Sequence, residues 1–103
     1  MKIPIQSVAE LGRALRAVRR SSGVRIDDMA ATAGVSKQFA SDVEHGKPTV
    51  QFDRVIKLLS EMGIPVSIDI PSEAQEELFR LQEKAAASGK LTASPDSKPV
   101  ERD

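Results

Sequence analysis

The sequence predicts an all-α fold for most of the chain, and two patterns indicate it. Apolar residues recur at helical spacing, i, i+3 and i+4, in four successive segments of the first 62 residues. Residue types that cap helices precede three of these segments, and glycines follow all four. The chain has 103 residues, of which 40% are apolar, so one small domain is expected, with a core that is marginal without an oligomer.

The first predicted helix begins after Ser7, because Ser7 and Glu10 have the S-x-x-E spacing of a capping box. Gly23 is expected to follow its end in a left-handed conformation. The apolar stripe of this helix comprises Leu11, Ala14, Leu15 and Val18. Four arginines lie off that stripe, namely Arg13, Arg16, Arg19 and Arg20.

Two short helices joined by a tight turn come next. The second helix is predicted over residues 25–33, and the third begins after Ser36 and ends near Gly46. Gly34 is predicted to have a positive φ, because the turn between the helices is sharp. A connection of three to four residues such as this one is typical of a helix-turn-helix motif.

The pattern changes in the second half of the chain. Thr49 is predicted to cap a fourth helix that ends near Met62. The apolar side of this helix comprises Phe52, Val55, Ile56, Leu58 and Leu59. Residues 65–70 alternate apolar and polar types and predict a short strand. A second capping box, from Ser72 to Gln75, predicts a last helix, and the polar residues after it predict a disordered tail.

Charge is divided unevenly between the two halves, although the net charge is zero. Residues 1–60 hold ten Lys and Arg against six Asp and Glu, a net charge of +4. Residues 61–103 hold five against nine, a net charge of −4. This division indicates a polyanion-binding surface in the first half, the alternative being two ordinary solvated surfaces.

The third helix carries the side chains with the most informative chemistry. Val35 and Val43 are expected to fix it to the core. Lys37, Gln38 and Ser41 then face away from the core. In the major groove of DNA, Lys suits guanine, Gln suits adenine and Ser suits several bases. The N-terminal residues of a recognition helix enter that groove, so the sequence predicts binding to double-stranded DNA.

The stretch GVRIDDMAATAGVSKQFASDVEHGK resembles the Xre/Cro-type helix-turn-helix, whose fold is lambda-repressor-like, and the resemblance covers residues 7–64. It implies base contacts from Ser36, Lys37, Gln38 and Ser41. It also implies phosphate contacts from Arg25, at the start of the second helix, and from the loop that holds Lys47 and Thr49.

Two arginines of the first helix, Arg19 and Arg20, are expected to add phosphate contacts. The alternative is an exposed helix face, since Arg near a helix C-terminus is favourable in any case. The family pattern suggests that Glu44 is a buried structural partner of Arg16 or Arg19.

The sequence departs from the family pattern at three positions in the second and third helices. Arg25-Ile26 stands where the family usually has Thr-Gln, and Arg25 replaces the missing contact only electrostatically. Phe39 stands where a small polar residue is common, so it either packs beside the small Ala40 or touches a thymine methyl group. Asp42 would repel phosphate, so it is expected to face a basic neighbour or a cytosine amino group.

The strand over residues 65–70 needs a partner, because a lone strand leaves its backbone groups unpaired. We expect it to pair with its copy in a second subunit, through Val66, Ile68 and Ile70. A two-fold dimer places two recognition helices roughly 34 Å apart and implies a palindromic operator. The predicted division is a helix-turn-helix domain over 1–64, a dimerisation strand over 65–71, a C-terminal helix over 72–87 and a disordered tail over 88–103.

The segment PVSIDI after the fourth helix resembles that of HipB-type antitoxins. This implies a cytoplasmic, nucleoid-associated repressor that binds its own promoter and neutralises a HipA-like serine/threonine kinase toxin. The alternatives are a free-standing Xre-family regulator and a protein-interaction module that has lost DNA binding. No enzyme or cofactor is expected, because the sequence has no cysteine, no nucleophile–base set and no phosphate loop. The N-terminal residues also lack the apolar stretch of a signal peptide.

Overall fold

The structure, a computed structural model, describes residues 1–88, which form five α-helices. These are α1 (Val8–Ser21), α2 (Ile26–Ala33), α3 (Lys37–Glu44), α4 (Phe52–Glu61) and α5 (Gln75–Ala87). The chain divides into two compact units at residues 66 and 67. The first unit holds α1 to α4, and the second holds α5. No helix of the described residues is long and apolar enough to cross a membrane.

Two of the predicted N-caps are confirmed. The Ser7 hydroxyl accepts a hydrogen bond from the Glu10 backbone N–H at 3.1 Å, which caps α1. The Ser36 hydroxyl accepts one from the Phe39 backbone N–H at 3.0 Å, which caps α3. Both bonds satisfy backbone donors that have no partner inside their helix, and so they fix where α1 and α3 begin.

The turn between α2 and α3 has the predicted glycine conformation. Gly34 has a φ of 71°, in the left-handed region that favours glycine. The next residue, Val35, donates its N–H to the carbonyl oxygen of Ala30 at 3.0 Å, and Gly34 donates its N–H to the carbonyl oxygen of Ala31 at 3.2 Å. This pair of bonds is a Schellman motif, which ends α2 and turns the chain away from the helix axis. The motif places the start of α3 beside α2.

The core of the first unit lies between all four of its helices. α3 packs against α1 and α2, and α2 also packs against α4. The buried apolar side chains are Leu15, Met29, Ala30, Ala33, Ala40, Val43, Val55, Leu58 and Leu59. Phe39 is half-buried against this core and Ala40 is fully buried, which fits the packing interpretation of that pair. Phe52, predicted on the apolar side of the fourth helix, is 67% exposed at the first position of α4.

Two predicted caps are wrong. Thr49 does not cap α4, because Pro48 and Thr49 form a turn and the helix begins only after Gln51. Ser72 does not cap α5 with its side chain, because Ser72–Ala74 forms a single 3-10 turn that leads into the helix. In each case the residue type is right for a cap, but the backbone before the helix takes a different path.

The predicted strand over residues 65–71 does not form in the single chain. Within residues 1–88 no residue is assigned to a strand, and residues 64–71 have no regular secondary structure. The physical reason is that a strand forms only when its backbone groups are paired with another strand, which is also why the prediction required a second subunit. A single copy of this chain supplies no such partner among the described residues.

The second unit is described over residues 67–88 and consists of the 3-10 turn and α5. No side chain of this stretch is buried, and Leu78 and Phe79 are 38% and 53% exposed. The Ser88 hydroxyl donates to the carbonyl oxygen of Ala85 at 2.9 Å, so Ser88 closes α5. The rest of the predicted disordered tail, residues 89–103, lies outside the described residues.

Candidate nucleic-acid interface

The exposed side of α3 presents the side chains that the sequence singles out. Lys37 and Gln38 are exposed at the first two positions of the helix. Ser36 is exposed too, and its oxygen accepts the capping bond while its hydroxyl proton remains available. Ser41 is half-buried one turn later, and its hydroxyl lies 3.3 Å from Nδ1 of His45. The side chains at the start of α3 are therefore accessible to a binding partner.

Asp27 connects the start of α2 to the start of α3. One oxygen of its carboxylate lies 3.1 Å from Nζ of Lys37, and the other lies 3.4 Å from the Arg25 guanidinium. Lys37 and Arg25 are both mostly exposed. Ion pairs this exposed add little stability, since solvent screens them. Their value here is geometric, because they hold two cations side by side across the turn.

Asp42 connects α3 to the loop after it. Its Oδ1 accepts a hydrogen bond from Nε2 of Gln38 at 2.8 Å, and its Oδ2 lies 3.5 Å from Nζ of Lys47. Asp42 therefore has the basic neighbour that its position in the sequence led us to expect. The Lys47 backbone N–H also donates to the Asp42 carbonyl oxygen at 2.9 Å, which fixes the loop against the helix end.

These contacts form two clusters of three exposed or half-exposed residues each, which adjoin where Lys37 is followed by Gln38 in the chain, and which we together call the α3 surface. It comprises Arg25, Asp27, Lys37, Gln38, Asp42 and Lys47. The three cations outnumber the two carboxylates, and each carboxylate is already engaged by the cations. The α3 surface thus offers net positive charge for phosphates and one neutral amide for a base edge.

Arg19 is directed away from a phosphate role by its own contacts. Its Nε and one terminal nitrogen donate to the two carboxylate oxygens of Glu44, at 2.5 Å and 2.9 Å. Its other terminal nitrogen donates to the carbonyl oxygen of Val24 at 3.1 Å. With its guanidinium engaged on all three nitrogens, Arg19 is better described as a structural residue than as a phosphate contact.

The partner of Arg19 is a buried carboxylate. Glu44 is 2% exposed, so its charge is separated from water and depends on this bidentate pair. Because Arg19 donates hydrogen bonds to the Glu44 carboxylate, the pKa of Arg19 is raised above its ordinary value. A raised cation pKa contributes stability that is fully present below the unfolded pKa and is lost only as the pH rises through the folded pKa, so the contribution of Arg19 is fully present at neutral pH. Arg16 approaches the same point, donating to the Glu44 carbonyl oxygen at 3.2 Å.

The remaining candidates for phosphate contact are exposed. Arg20 at the end of α1 and Thr49 in the turn before α4 both lie on the surface. Over residues 1–88, neither forms a hydrogen bond or an ion pair with the α3 surface. Both stay predictions.

Comparison with known proteins agrees with this architecture. Residues 10–65, more than half of the chain, match the helix-turn-helix domain family. The chain belongs to this family. An uncharacterised HTH-type transcriptional regulator, y4mF of Sinorhizobium fredii, is 36% identical over 72 residues, which cover 70% of this chain and 95% of that protein. A solved structure described as MDT Protein has a TM-score of 0.63 at 18% identity, over 69% of this chain and 100% of that chain, a likeness of fold.

Within this helix-turn-helix domain, sequence reasoning missed two side-chain contacts, that of Gln38 with Asp42 and that of Asp27 with Lys37. Gln38 and Asp42 are four residues apart, a spacing at which Gln and Asp side chains meet on one helix face, so their bond had a local signal. Asp27 and Lys37 are ten residues apart and meet only because of the turn. No spacing rule predicts that contact before the turn geometry is known.

Proposed function

We propose that this chain is a sequence-specific DNA-binding transcriptional regulator, and that α3 reads bases in the major groove. The observation that supports this best is the α3 surface, where Lys37 and Gln38 are exposed at the start of the helix after the turn. Helix-turn-helix proteins present that part of the second helix to base edges. The similarity to a protein named as a transcriptional regulator supports the same function.

In this proposal the contacts divide into two classes. Ser36, Lys37, Gln38 and Ser41 contact bases. Arg20, Arg25, Lys47 and Thr49 contact phosphates, which position the domain but carry no sequence information. Because phosphate contacts release counterions, the affinity for DNA should fall steeply as salt concentration rises. The protein then acts where the chromosome lies, in the cytoplasm.

The test begins with a DNA site selected by the purified protein from a random-sequence pool. Gln38→Ala is expected to weaken binding to that site by ~1–3 kcal/mol and to relax the preference at one base pair. The reason is that the amide can make two hydrogen bonds to a base edge and alanine makes none. Both quantities are measured by fluorescence anisotropy against the selected site and its single-base variants.

Arg20→Ala is the matched control, since we place Arg20 on phosphate and, among the described residues, it makes no hydrogen bond or ion pair with the α3 surface. It should weaken binding to all sequences alike and reduce the salt dependence, without changing base preference. If the wild-type protein selects no sequence at all, the proposed function is wrong. If Gln38→Ala leaves both affinity and preference unchanged, α3 does not read bases through Gln38.

We also infer that the protein binds a palindromic operator as a homodimer, through Val66, Ile68 and Ile70. These three apolar, β-branched side chains are 51%, 82% and 40% exposed in the single chain, and exposure of this extent favours a partner. Pairing of residues 65–70 with their copy would supply the strand partner that the single chain lacks.

Ile68→Lys is expected to convert dimers into monomers, because it places a charge on each side of the proposed contact. Light scattering measures the change, and binding to the palindromic site should weaken with it. Asp69→Lys, the neighbouring position whose side chain points to the other face of a strand, is the control and should leave the dimer intact. A dimer that survives Ile68→Lys at micromolar concentration would exclude this interface.

A free-standing regulator is the form of this function that we propose. The antitoxin function, with a HipA-like kinase as partner, rests on the resemblance of residues 65–70 alone, and the Sinorhizobium relative is named only as a regulator. Purification of the tagged protein from its native host distinguishes the two, since an antitoxin would retain a kinase-like protein through a salt wash. A chain that binds no DNA but retains a partner would instead be an interaction module.

A further inference from the structure

We propose that Asp42 is a specificity-determining residue that acts through Gln38, by fixing the orientation of its side-chain amide toward DNA. The proposal rests on the proposed function, since it concerns how the same α3 surface distinguishes one base from another. Asp42 itself contacts no DNA in this proposal. It is a positioning residue, and its partner Gln38 makes the base contact.

The orientation of the Gln38 amide follows from chemistry. A carboxylate has only acceptors, so the side of the amide that faces Asp42 must be the NH₂ group. Nε2 of Gln38 lies 2.8 Å from Oδ1 of Asp42, a good length for this bond. Rotating the amide by half a turn would place its oxygen against the carboxylate, where two acceptors repel. One of the two orientations is therefore excluded.

Lys47 keeps the carboxylate of Asp42 in place. Its Nζ lies 3.5 Å from Oδ2 of Asp42, the oxygen that Gln38 does not use. The Asp42 side chain is 23% exposed against 45% for Asp27, so solvent screens its contacts less. One oxygen of Asp42 accepts from the Gln38 amide and the other lies near the Lys47 ammonium, so contacts on both oxygens hold the carboxylate in this orientation. The backbone bond from Lys47 to the Asp42 carbonyl oxygen holds the same corner.

A fixed amide selects between purines. With one N–H engaged by Asp42, Gln38 has one N–H and its oxygen left for a base. This donor–acceptor pair matches adenine, which offers N7 as acceptor and its N6 amino group as donor. Guanine offers two acceptors, O6 and N7, and binding both would require both N–H groups of the amide. The bond to Asp42 withholds one of them, so the fixed Gln38 accepts adenine and rejects guanine.

The deciding experiment uses Asp42→Asn in the whole 103-residue chain. Asparagine has nearly the same shape, but its side chain carries a donor as well as an acceptor, so it accommodates both amide orientations of Gln38. At the position read by Gln38, the wild-type protein should prefer adenine to guanine by roughly tenfold or more, the discrimination typical of a bidentate contact. In Asp42→Asn this ratio should fall to within about threefold of unity, through tighter binding of the guanine site.

The ratio matters because Asp42→Asn also removes a negative charge near DNA. That change strengthens binding to every sequence alike and leaves the adenine-to-guanine ratio unaltered. If all affinities rise while the ratio stays at the wild-type value, Asp42 has only an electrostatic effect and the proposal is wrong. Circular dichroism of each variant verifies that the helix content of the chain is unchanged.

The Gln38→Ala background supplies the second control. If Asp42 acts through Gln38, adding Asp42→Asn to Gln38→Ala should not change base preference further. A ratio that still shifts in that background would mean that Asp42 contacts DNA by itself, which contradicts the proposal. Failure of the proposed function has a different signature, because the wild-type protein would then show no base preference to alter.

Discussion

Arg19→Ala is expected to destabilise the first unit by about 3–5 kcal/mol, among the largest losses that we expect for a single substitution in this domain. The reason lies in the partner. Glu44 is 2% exposed and both of its oxygens are bound by Arg19, so removing the guanidinium leaves a buried carboxylate without a counter-charge. A small domain has only about 5–15 kcal/mol of stability in total, so the expected loss is a large fraction of it.

Urea unfolding followed by circular dichroism measures this loss, and Arg20→Ala is its matched control. Arg20 is the next residue of the same helix and is exposed, so its removal should cost no more than about 0.5 kcal/mol. Arg19→Lys should be intermediate or worse, because an ammonium cannot reproduce the two-pronged contact. If Arg19→Ala proves no more harmful than Arg20→Ala, the buried pair does not stabilise the fold.

The combined variant Arg19→Met with Glu44→Leu separates two explanations of the loss in Arg19→Ala, namely the unpaired charge of Glu44 and the lost hydrogen bond to Val24. Buried ion pairs replaced by apolar side chains of similar size are often neutral in stability, since both desolvation costs disappear. The double variant should therefore recover most of the stability that Arg19→Ala loses. If instead it is as unstable as the single variant, the contribution of Arg19 comes from its bond to the Val24 carbonyl oxygen and not from the charge of Glu44.

Where the sequence predicts this fold well, the determining interactions are local. The Ser7 and Ser36 caps involve atoms three residues apart, and Gly34 acts on its own backbone angle. Each follows from residue type and spacing alone, and each is confirmed. The wrong caps, Thr49 and Ser72, have the right residue type as well. They fail because a turn and a 3-10 turn, set by the neighbouring backbone, come before the helices.

The candidate site divides in the same way. Exposure of Lys37 and Gln38 follows from the apolar stripe of α3, so the sequence predicts which side chains are available. The contacts among these side chains cannot be predicted from the sequence in the same way, because the ion pair between Asp27 and Lys37 spans the turn. Arg19 could be assigned to phosphate or to Glu44 by sequence, since exposed and buried arginines look alike there. Only the packing of α1 on α3 decides between them.

That packing is also the least predictable feature of the fold, because it depends on a glycine inside a helix. Gly12 lies in the middle of α1, where glycine is about 1 kcal/mol less favourable than alanine. The reason for glycine at this position is a contact between helices, which local rules do not predict. One face of α1 carries Gly12, Arg16 and Arg19, which are four and then three residues apart. All three meet the C-terminal end of α3, where Glu44 lies.

Gly12→Ala is therefore expected to destabilise the protein by about 2 kcal/mol or more, in spite of its better helix propensity. A Cβ atom on residue 12 would lie 2.6 Å from the carbonyl oxygen of Glu44 and 2.8 Å from its carbonyl carbon, with the Val43 oxygen closer still. These are backbone atoms of α3, so they cannot rotate away as a side chain would. Either α1 moves off α3, which strains the pair of Arg19 and Glu44, or the helix end distorts.

Thermal unfolding measures the effect, which at 2 kcal/mol corresponds to a fall in Tm of about 8–16 °C for a domain of this size. Ala17→Gly is the control, since residue 17 is exposed on the same helix and reports propensity without packing. Ala17→Gly should lower the stability by about 1 kcal/mol, whereas helix propensity alone would make Gly12→Ala raise it by a similar amount. A higher Tm for Gly12→Ala would mean that propensity dominates and that α1 does not approach α3 this closely. A lower Tm for both variants is the result that only close packing at Gly12 explains, because propensity alone must move them in opposite directions.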